Sequence, residues 1–182
     1  TSLKYPDSIA LEYFKIEYSY KELIANIDNI AISLKKLKVV ENECVTICMP
    51  NIPEAIFTIY AVNKIGAICN IIHPMSTTNE IEEALKETNS TVLITTDVSY
   101  SKVKDLKLDD VIVCEVSNSM NVIMRVLYNL KNKKNMQYKK NVTKWNDFVK
   151  NETNLIETHV NRSQNSPAIV IYSGGTSGKS KG

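Results

Sequence analysis

Short apolar runs alternate with longer stretches of helical periodicity along most of this 182-residue chain. Five runs consist almost entirely of apolar and β-branched residues: VTICM (45–49), AICNII (67–72), TVLITT (91–96), VIVCEV (111–116) and AIVIY (168–172). Strands of this kind must be covered on both faces, and the long connections between them suit parallel pairing. The alternation therefore predicts an α/β fold in which parallel-sheet layers are covered by helices.

The boundaries of the intervening helices are marked by capping residues. Two S/T-x-x-E capping boxes, in which each side chain bonds the other residue's backbone, are Ser19 with Glu22 and Thr77 with Glu80. We expect Asn51 to cap the helix that has Pro53 in its first turn, and Gly66 to end it. No repeat or linker interrupts the pattern, so residues 1–182 are expected to belong to one domain.

Charge and cysteine usage narrow the possible classes of function. The net charge is only +2, from 22 basic and 20 acidic residues, which argues against a nucleic-acid partner. Cys44, Cys48, Cys69 and Cys114 form no CxxC pair, so buried thiols are expected rather than a metal site or disulfides. Reduced thiols predict a cytoplasmic protein. No apolar run reaches the ~18–20 residues of a membrane span, and the first residues lack a signal-peptide pattern.

One segment between the fourth and fifth apolar runs has a weaker pattern. Residues 120–130 predict an amphipathic helix, and six lysines follow it within 131–144. A basic amphipathic helix can lie on an anionic membrane surface, so residues 120–144 are a candidate for peripheral membrane contact. The sequence alone favours the alternative, in which this helix packs on the sheet and a solvated loop follows it.

A glycine-rich loop, SGGTSGKSKG (173–182), comes directly after the last predicted strand. Its glycines allow backbone N–H groups to approach an anion closely, its hydroxyls add donors, and its lysines add positive charge. These residues are Gly174, Gly175, Gly178, Ser173, Thr176, Ser177, Lys179 and Lys181. Thr176 or Ser177 could also hold a metal ion, with Thr176 the first choice. The loop is therefore predicted to bind phosphate.

Two kinds of phosphate loop compete for these residues. The P-loop of nucleoside triphosphatases requires G-x-x-x-x-G-K-[ST]. Gly178, Lys179 and Ser180 match its end, but its first glycine would fall on Ser173. A P-loop triphosphatase or small-molecule kinase that uses Lys179 is therefore the alternative function.

The loop is more similar to the pattern Y-T-S-G-T-T-G-x-P-K-G of the adenylate-forming, AMP-binding superfamily, which includes the acyl-CoA synthetases. The identical positions are Tyr172, Gly175, Thr176, Gly178, Lys181 and Gly182. Ser173 and Ser177 keep a hydroxyl, whereas Gly174 replaces a usual serine and Ser180 a usual proline. Residues 45–74 also resemble the family's V-x-I-x-x-P-N-x-x-E…A…K-x-G-A stretch, through Pro50, Asn51, Glu54, Ala61, Lys64, Gly66 and Ala67.

This resemblance implies the first part of the large N-terminal domain of an AMP-forming carboxylate–CoA ligase for fatty or aryl acids. It implies ATP, Mg²⁺ and CoA as cofactors and a carboxylic acid as substrate. Ser173, Thr176, Ser177 and Lys181 would hold the β- and γ-phosphates, while glycine N–H groups complete the cradle. The family's catalytic residues follow this loop in its pattern. No catalytic residue is therefore assigned within residues 1–182, and this chain alone is expected to be inactive.

Overall fold

A parallel six-stranded sheet forms the centre of the computed structural model, which describes residues 2–132, 138–139, 142–150, 160, 163 and 165–172. The strands are β1 (Ile9–Tyr13), β2 (Ile16–Ser19), β3 (Cys44–Cys48), β4 (Ile68–Ile71), β5 (Val92–Thr96), β6 (Asp110–Cys114), β7 (Val142–Lys144) and β8 (Ile169–Ile171). The helices are α1 (Tyr20–Lys36), α2 (Pro53–Lys64), α3 (Thr78–Glu87), α4 (Tyr100–Val103), α5 (Val122–Asn132) and α6 (Trp145–Phe148), with a 3₁₀ turn at Val116–Ser119. The predicted α/β class is confirmed.

Both predicted capping boxes are present. The backbone N–H of Glu22 donates to Ser19 Oγ at 3.2 Å, and the Ser19 N–H donates to Glu22 Oε2 at 2.8 Å. The same pair of bonds, at 3.3 and 2.7 Å, joins Thr77 and Glu80 at the start of α3. The predicted cap at Asn51 is wrong: α2 begins one residue later, after Ile52, and no side chain caps it. Pro53 supplies no N–H in the first turn, so one fewer donor needs a cap there.

The order of strands across the sheet is β7-β6-β5-β3-β4-β8. The connection from β3 to β4 runs in one direction across the sheet, whereas those from β4 to β5 and from β5 to β6 run in the other. Because parallel crossovers are right-handed, connections that run in opposite directions place their helices on opposite faces. Helix α2 therefore covers one face, together with α1 and α6, and α3 and α4 cover the other.

The core is divided by the sheet into two clusters. Side chains alternate between them along each strand, so Val92 and Ile94 face α1 and α2 while Leu93 faces α3. Cys48, Cys69 and Cys114 are buried in these clusters, Cys44 is half-buried, and no disulfide joins the four. The expectation of buried thiols is thus met by three of the four cysteines.

Helix α5 departs from the arrangement that the sequence favoured. The helix forms as predicted, but none of its residues is buried, and its apolar side chains do not pack on the sheet. Its polar side faces the protein instead, where Tyr128 Oη donates to Asp97 Oδ2 at 2.8 Å. Among the helices of the described residues, none combines the length and apolar character that crossing a membrane requires.

Candidate functional site

The carboxyl ends of the six parallel strands lie along one edge of the sheet. In open α/β sheets, ligands bind at this edge, in crevices between connections that leave toward opposite faces. The residues that directly follow β3, β4, β5, β6 and β8 are Met49, Ile72, Asp97, Glu115 and Tyr172. The connection after β3 leaves toward one face, and those after β4 and β5 leave toward the other. The strand order therefore reverses at the centre of this edge, which is the usual position of a ligand crevice.

The predicted phosphate loop lies outside the described residues. This applies to Ser173, Gly174, Gly175, Thr176, Ser177, Gly178 and Lys181, and also to Lys179 and Ser180 of the alternative P-loop. The strand before the loop is described: β8 pairs with β4 in parallel, with Ile71 opposite Ile171. Tyr172 therefore follows β8 at the carboxyl edge, and the loop begins there.

Tyr172 is anchored against helix α3. Its hydroxyl donates to the carbonyl oxygen of Ala84 at 3.4 Å, and its ring packs on the core cluster beneath α3 and α4. Burial, with a smaller contribution from the charges of Glu87 and Cys44, raises the pKa of Tyr172 above its usual value. The phenol therefore stays protonated at neutral pH, and this contact positions the first residue before the loop.

A groove of about 570 Å³ lies between α3 and the ends of β4 and β8. Its floor is apolar, with Ile71 and Ile171, whereas its rim carries three acidic side chains: Glu80, Glu83 and Glu87. Hydrogen bonds from Thr77 hold the pKa of Glu80 below its usual value, so this carboxylate is ionised at neutral pH. Among the described residues, the rim is therefore negative, which disfavours phosphate groups.

The loop after β4 forms the other wall of the groove. The Lys102 ammonium, from α4, donates to the carbonyl oxygens of Pro74 and Ser76 at 2.9 and 3.0 Å. The Ser99 hydroxyl also donates to Pro74 at 3.3 Å. These bonds satisfy carbonyls that have no partner in a strand or helix, and they hold His73 and Ser76 in the groove wall.

Glu54, which matches the family stretch at 45–74, lies buried in the first turn of α2. Only 6% of its surface is exposed, and its carboxylate accepts a hydrogen bond from the Ser119 hydroxyl. Burial raises the pKa of Glu54 above its usual value, although the Ser119 hydrogen bond and the nearby Arg125 oppose this effect. The N-terminus of α2 also favours a negative charge at this position. Glu54 thus joins α2 to the segment after β6.

Asp97, which follows β5, forms a second buried polar contact at the same edge. Its Oδ1 accepts from the Val116 N–H at 3.0 Å, and its Oδ2 accepts from the Tyr128 hydroxyl at 2.8 Å. Burial and the hydrogen bond to Asp97 both raise the pKa of Tyr128, so its hydroxyl remains a donor. Sequence reasoning missed Asp97, Ser119 and Tyr128, because no local pattern links side chains 31 and 65 residues apart.

Two other residues of the 45–74 stretch have structural roles. Lys64 forms an ion pair with Asp28, which joins α2 to α1. Gly66 ends α2 as predicted, with a φ of +80°. Within the described ranges no group of three or more His, Cys, Asp and Glu side chains is placed to hold a metal ion. Thr176, the predicted metal-binding residue, lies outside those ranges.

Comparisons with known proteins bear on the whole chain. The family described as AMP-binding enzyme matches residues 1–182. A long-chain-fatty-acid–CoA ligase of Bacillus subtilis (strain 168) is 24% identical over 191 residues, covering 100% of this chain and 34% of the relative. An acetyl-coenzyme A synthetase of Campylobacter jejuni subsp. jejuni (strain 81-176) is 26% identical over 166 residues, covering 91% of this chain and 25% of the relative. The chain thus spans about a third or less of these relatives.

Solved structures share the fold. The anthranilate CoA ligase AuaEII, solved with anthranoyl-AMP, superposes with a TM-score of 0.75 at 17% identity, over 97% of this chain and 31% of that protein. The N-terminal subdomain of Klebsiella oxytoca NpsA, solved with 3-hydroxybenzoyl-AMSN, superposes with a TM-score of 0.67 at 19% identity. It covers 98% of this chain and 37% of that protein. At such low identity these matches establish the architecture only.

Proposed function

Because the chain belongs to the AMP-binding enzyme family, we propose that it is part of the N-terminal domain of an AMP-forming carboxylate–CoA ligase. The observation that carries the proposal is the family match over all of residues 1–182. The place of the glycine-rich loop in the chain also supports the proposal, because the loop follows β8 at the carboxyl edge of a parallel sheet, where ligands bind in such folds. The activity is proposed for the whole protein, because the matched part of this chain covers only 34% and 25% of these two relatives.

The proposed reaction has two steps. In the first, a carboxylate oxygen attacks the α-phosphorus of ATP, the bond to the bridging oxygen breaks, and pyrophosphate leaves. In the second, the sulfur of CoA attacks the acyl carbon of the resulting acyl-adenylate, AMP leaves, and the thiol proton passes to solvent. Negative charge builds on the phosphates during the first step, so fixed hydrogen-bond donors and cations accelerate it.

The residues of the glycine-rich loop would supply those groups. We assign the β- and γ-phosphates to Ser173, Thr176, Ser177 and Lys181, with the N–H groups of Gly174, Gly175 and Gly178 completing the cradle. The Thr176 hydroxyl is assigned to Mg²⁺, which would neutralise phosphate charge when bound. Hydroxyls, glycine N–H groups and a lysine are suitable donors for a triphosphate.

We propose a fatty or aryl acid as the substrate and CoA as the thiol. The Bacillus relative is a long-chain-fatty-acid–CoA ligase, and the structural neighbour AuaEII is an anthranilate CoA ligase. Contact of residues 120–144 with a membrane surface is a separate proposal, although it would suit a lipid substrate. The four cysteines, which form no disulfide, support a cytoplasmic protein.

The experiment is an assay of the full-length protein against a panel of carboxylic acids. Acid-dependent formation of AMP and pyrophosphate, followed by CoA-dependent release of a thioester, is expected for fatty or aryl acids. Formation of ADP and phosphate without AMP would overturn the proposal. Exchange of labelled pyrophosphate into ATP isolates the first step, because it does not require CoA.

Two neighbouring lysines provide a matched pair of variants for this assay. Lys181→Ala should lower pyrophosphate exchange by about 100-fold or more, since one charged contact to the transition state is lost. Lys179→Ala removes the same charge two residues away and should have a much smaller effect. The reverse ranking would contradict the assignment and favour the P-loop pattern of Gly178, Lys179 and Ser180, which the comparisons do not support.

A further inference from the structure

Helix α5 is held to the protein by its polar side. The Arg125 guanidinium donates to the carbonyl oxygens of Ser117 and Asn118 at 3.0 and 2.8 Å. One turn later, the Tyr128 hydroxyl donates to the buried Asp97 carboxylate at 2.8 Å. The helix begins at a firm cap, because the Met124 N–H donates to Asn121 Oδ1 at 3.0 Å. These contacts fix the rotation of the helix about its own axis.

The opposite side of α5 is apolar and exposed. At ~100° per residue, five of its apolar side chains cover an arc of about 140° that faces away from Arg125 and Tyr128, and the half-exposed Met124 lies beside this arc. The exposed fractions are 76% for Val122, 74% for Ile123, 53% for Val126, 62% for Leu127 and 72% for Leu130. This orientation is the reverse of an ordinary amphipathic helix on a sheet, whose apolar stripe faces the core. A contiguous exposed apolar face of this kind marks an interaction surface.

Charge is strongly segregated around this helix. Residues 116–146 contain seven of the 22 basic residues and none of the 20 acidic ones, so the rest of the chain has 15 basic and 20 acidic residues. The seven are Arg125, Lys131, Lys133, Lys134, Lys139, Lys140 and Lys144. Lys131 is exposed in the last turn of α5. The segment that follows the apolar face is therefore basic in sequence, although Lys139 pairs with Asp105 at 2.7 Å.

We propose that α5 docks on an anionic lipid bilayer, with its apolar face at the boundary between headgroups and acyl chains and the exposed Lys131 and Lys144 on the headgroups. A second copy of this chain fits less well, because it would bring the same positive segment against the first. The proposal extends the membrane contact inferred from sequence by assigning the inserted face and the contacts that orient it. It does not depend on the proposed ligase activity.

The test is flotation of the full-length protein with vesicles of phosphatidylcholine, with and without 30 mol% phosphatidylglycerol. Binding is expected on the anionic vesicles, falling as salt is raised because the lysine attraction is screened. Leu127→Asp should weaken this binding at least about tenfold. Tyr60→Asp is the matched control: Tyr60 is also a helical residue, 57% exposed on α2, and should bind as the unchanged protein does.

A charge variant tests the headgroup contact separately. Lys131→Gln with Lys144→Gln should lower affinity for anionic vesicles by about 25-fold, at roughly fivefold per lysine, without reducing thermal stability. The proposal is overturned if the unchanged protein does not float with anionic vesicles, or if Leu127→Asp binds like Tyr60→Asp. It is also overturned if Leu127→Asp converts a dimer to a monomer, or unfolds the protein, since a second copy or another segment would then cover this face.

Discussion

Gly66 ends helix α2 in a conformation that suits glycine, and its replacement by alanine tests how tightly β4 is joined to that helix. The N–H groups of Gly66 and Ala67 donate to Asn63 and Val62 at 3.0 and 3.1 Å, which is the Schellman arrangement of a helix C-terminus. The φ of Gly66 is +80°, in the left-handed region. A Cβ there would lie 2.6 Å from Val160 Cγ2 and 2.8 Å from Glu41 Cγ.

The expected loss of stability has two parts. The left-handed backbone costs a residue with a Cβ about 1 kcal/mol. Displacing the Val160 methyl group adds about 1–3 kcal/mol, as for other overpacked contacts. The exposed Glu41 side chain can move aside with little cost. Gly66→Ala should therefore lower the free energy of unfolding by about 2–4 kcal/mol.

The change in the free energy of unfolding is measured by urea denaturation, which the fluorescence of the buried Trp145, the chain's single tryptophan, reports. In a Val160→Ala background the steric part should disappear and leave about 1 kcal/mol. Lys38, at the same Schellman position after α1 with a φ of +65°, provides the opposite control. Lys38→Gly should stabilise by about 0.5–1 kcal/mol. A Gly66→Ala effect below about 1 kcal/mol, or one unchanged by Val160→Ala, would refute the reasoning.

Three further changes test other parts of the molecule. Because burial raises the pKa of Glu54, the folded state keeps its proton to higher pH than the unfolded state, whose pKa is near 4.5. The contribution of the Glu54 carboxyl group to the free energy of unfolding is therefore greatest below pH 4.5 and falls as pH rises through its folded pKa. Glu54→Gln should gain stability relative to the unchanged protein as pH rises from 4.5 to 7; a pH-independent difference in urea midpoints would contradict this. Tyr128→Phe leaves a buried oxygen of Asp97 without its donor and should cost about 1–3 kcal/mol in the same assay, whereas the exposed Tyr60→Phe should change little. Finally, the isolated 182-residue chain should form no acyl-adenylate in a pyrophosphate-exchange assay, and measurable product would show that the expected inactivity is wrong.

Local sequence located five of the eight strands to within two residues, whereas β7, α4 and α6 were not predicted. A capping box such as Ser19 with Glu22 involves residues three apart, and an apolar run such as 91–96 needs only its own side chains to be recognised, so both signals are complete within one element. The predicted strands at 45–49 and 67–72 correspond to Cys44–Cys48 and Ile68–Ile71. The β1–β2 hairpin was not predicted, because its strands carry no uniform apolar run. The family resemblance was likewise readable from short motifs.

Tertiary structure alone decided which side chains meet. Glu54 and Ser119 are 65 residues apart, and their contact exists because the strand order places β6 two positions from β3. The same holds for Asp97 and Tyr128, which turn the polar side of α5 inward and leave its apolar side exposed. Helical periodicity predicted that α5 has two faces, but not which one packs, because that depends on hydrogen-bond partners in distant segments. For the proposed phosphate loop, the sequence supplies only candidate donors, and the structure places the strand before it, β8, beside β4 in the sheet.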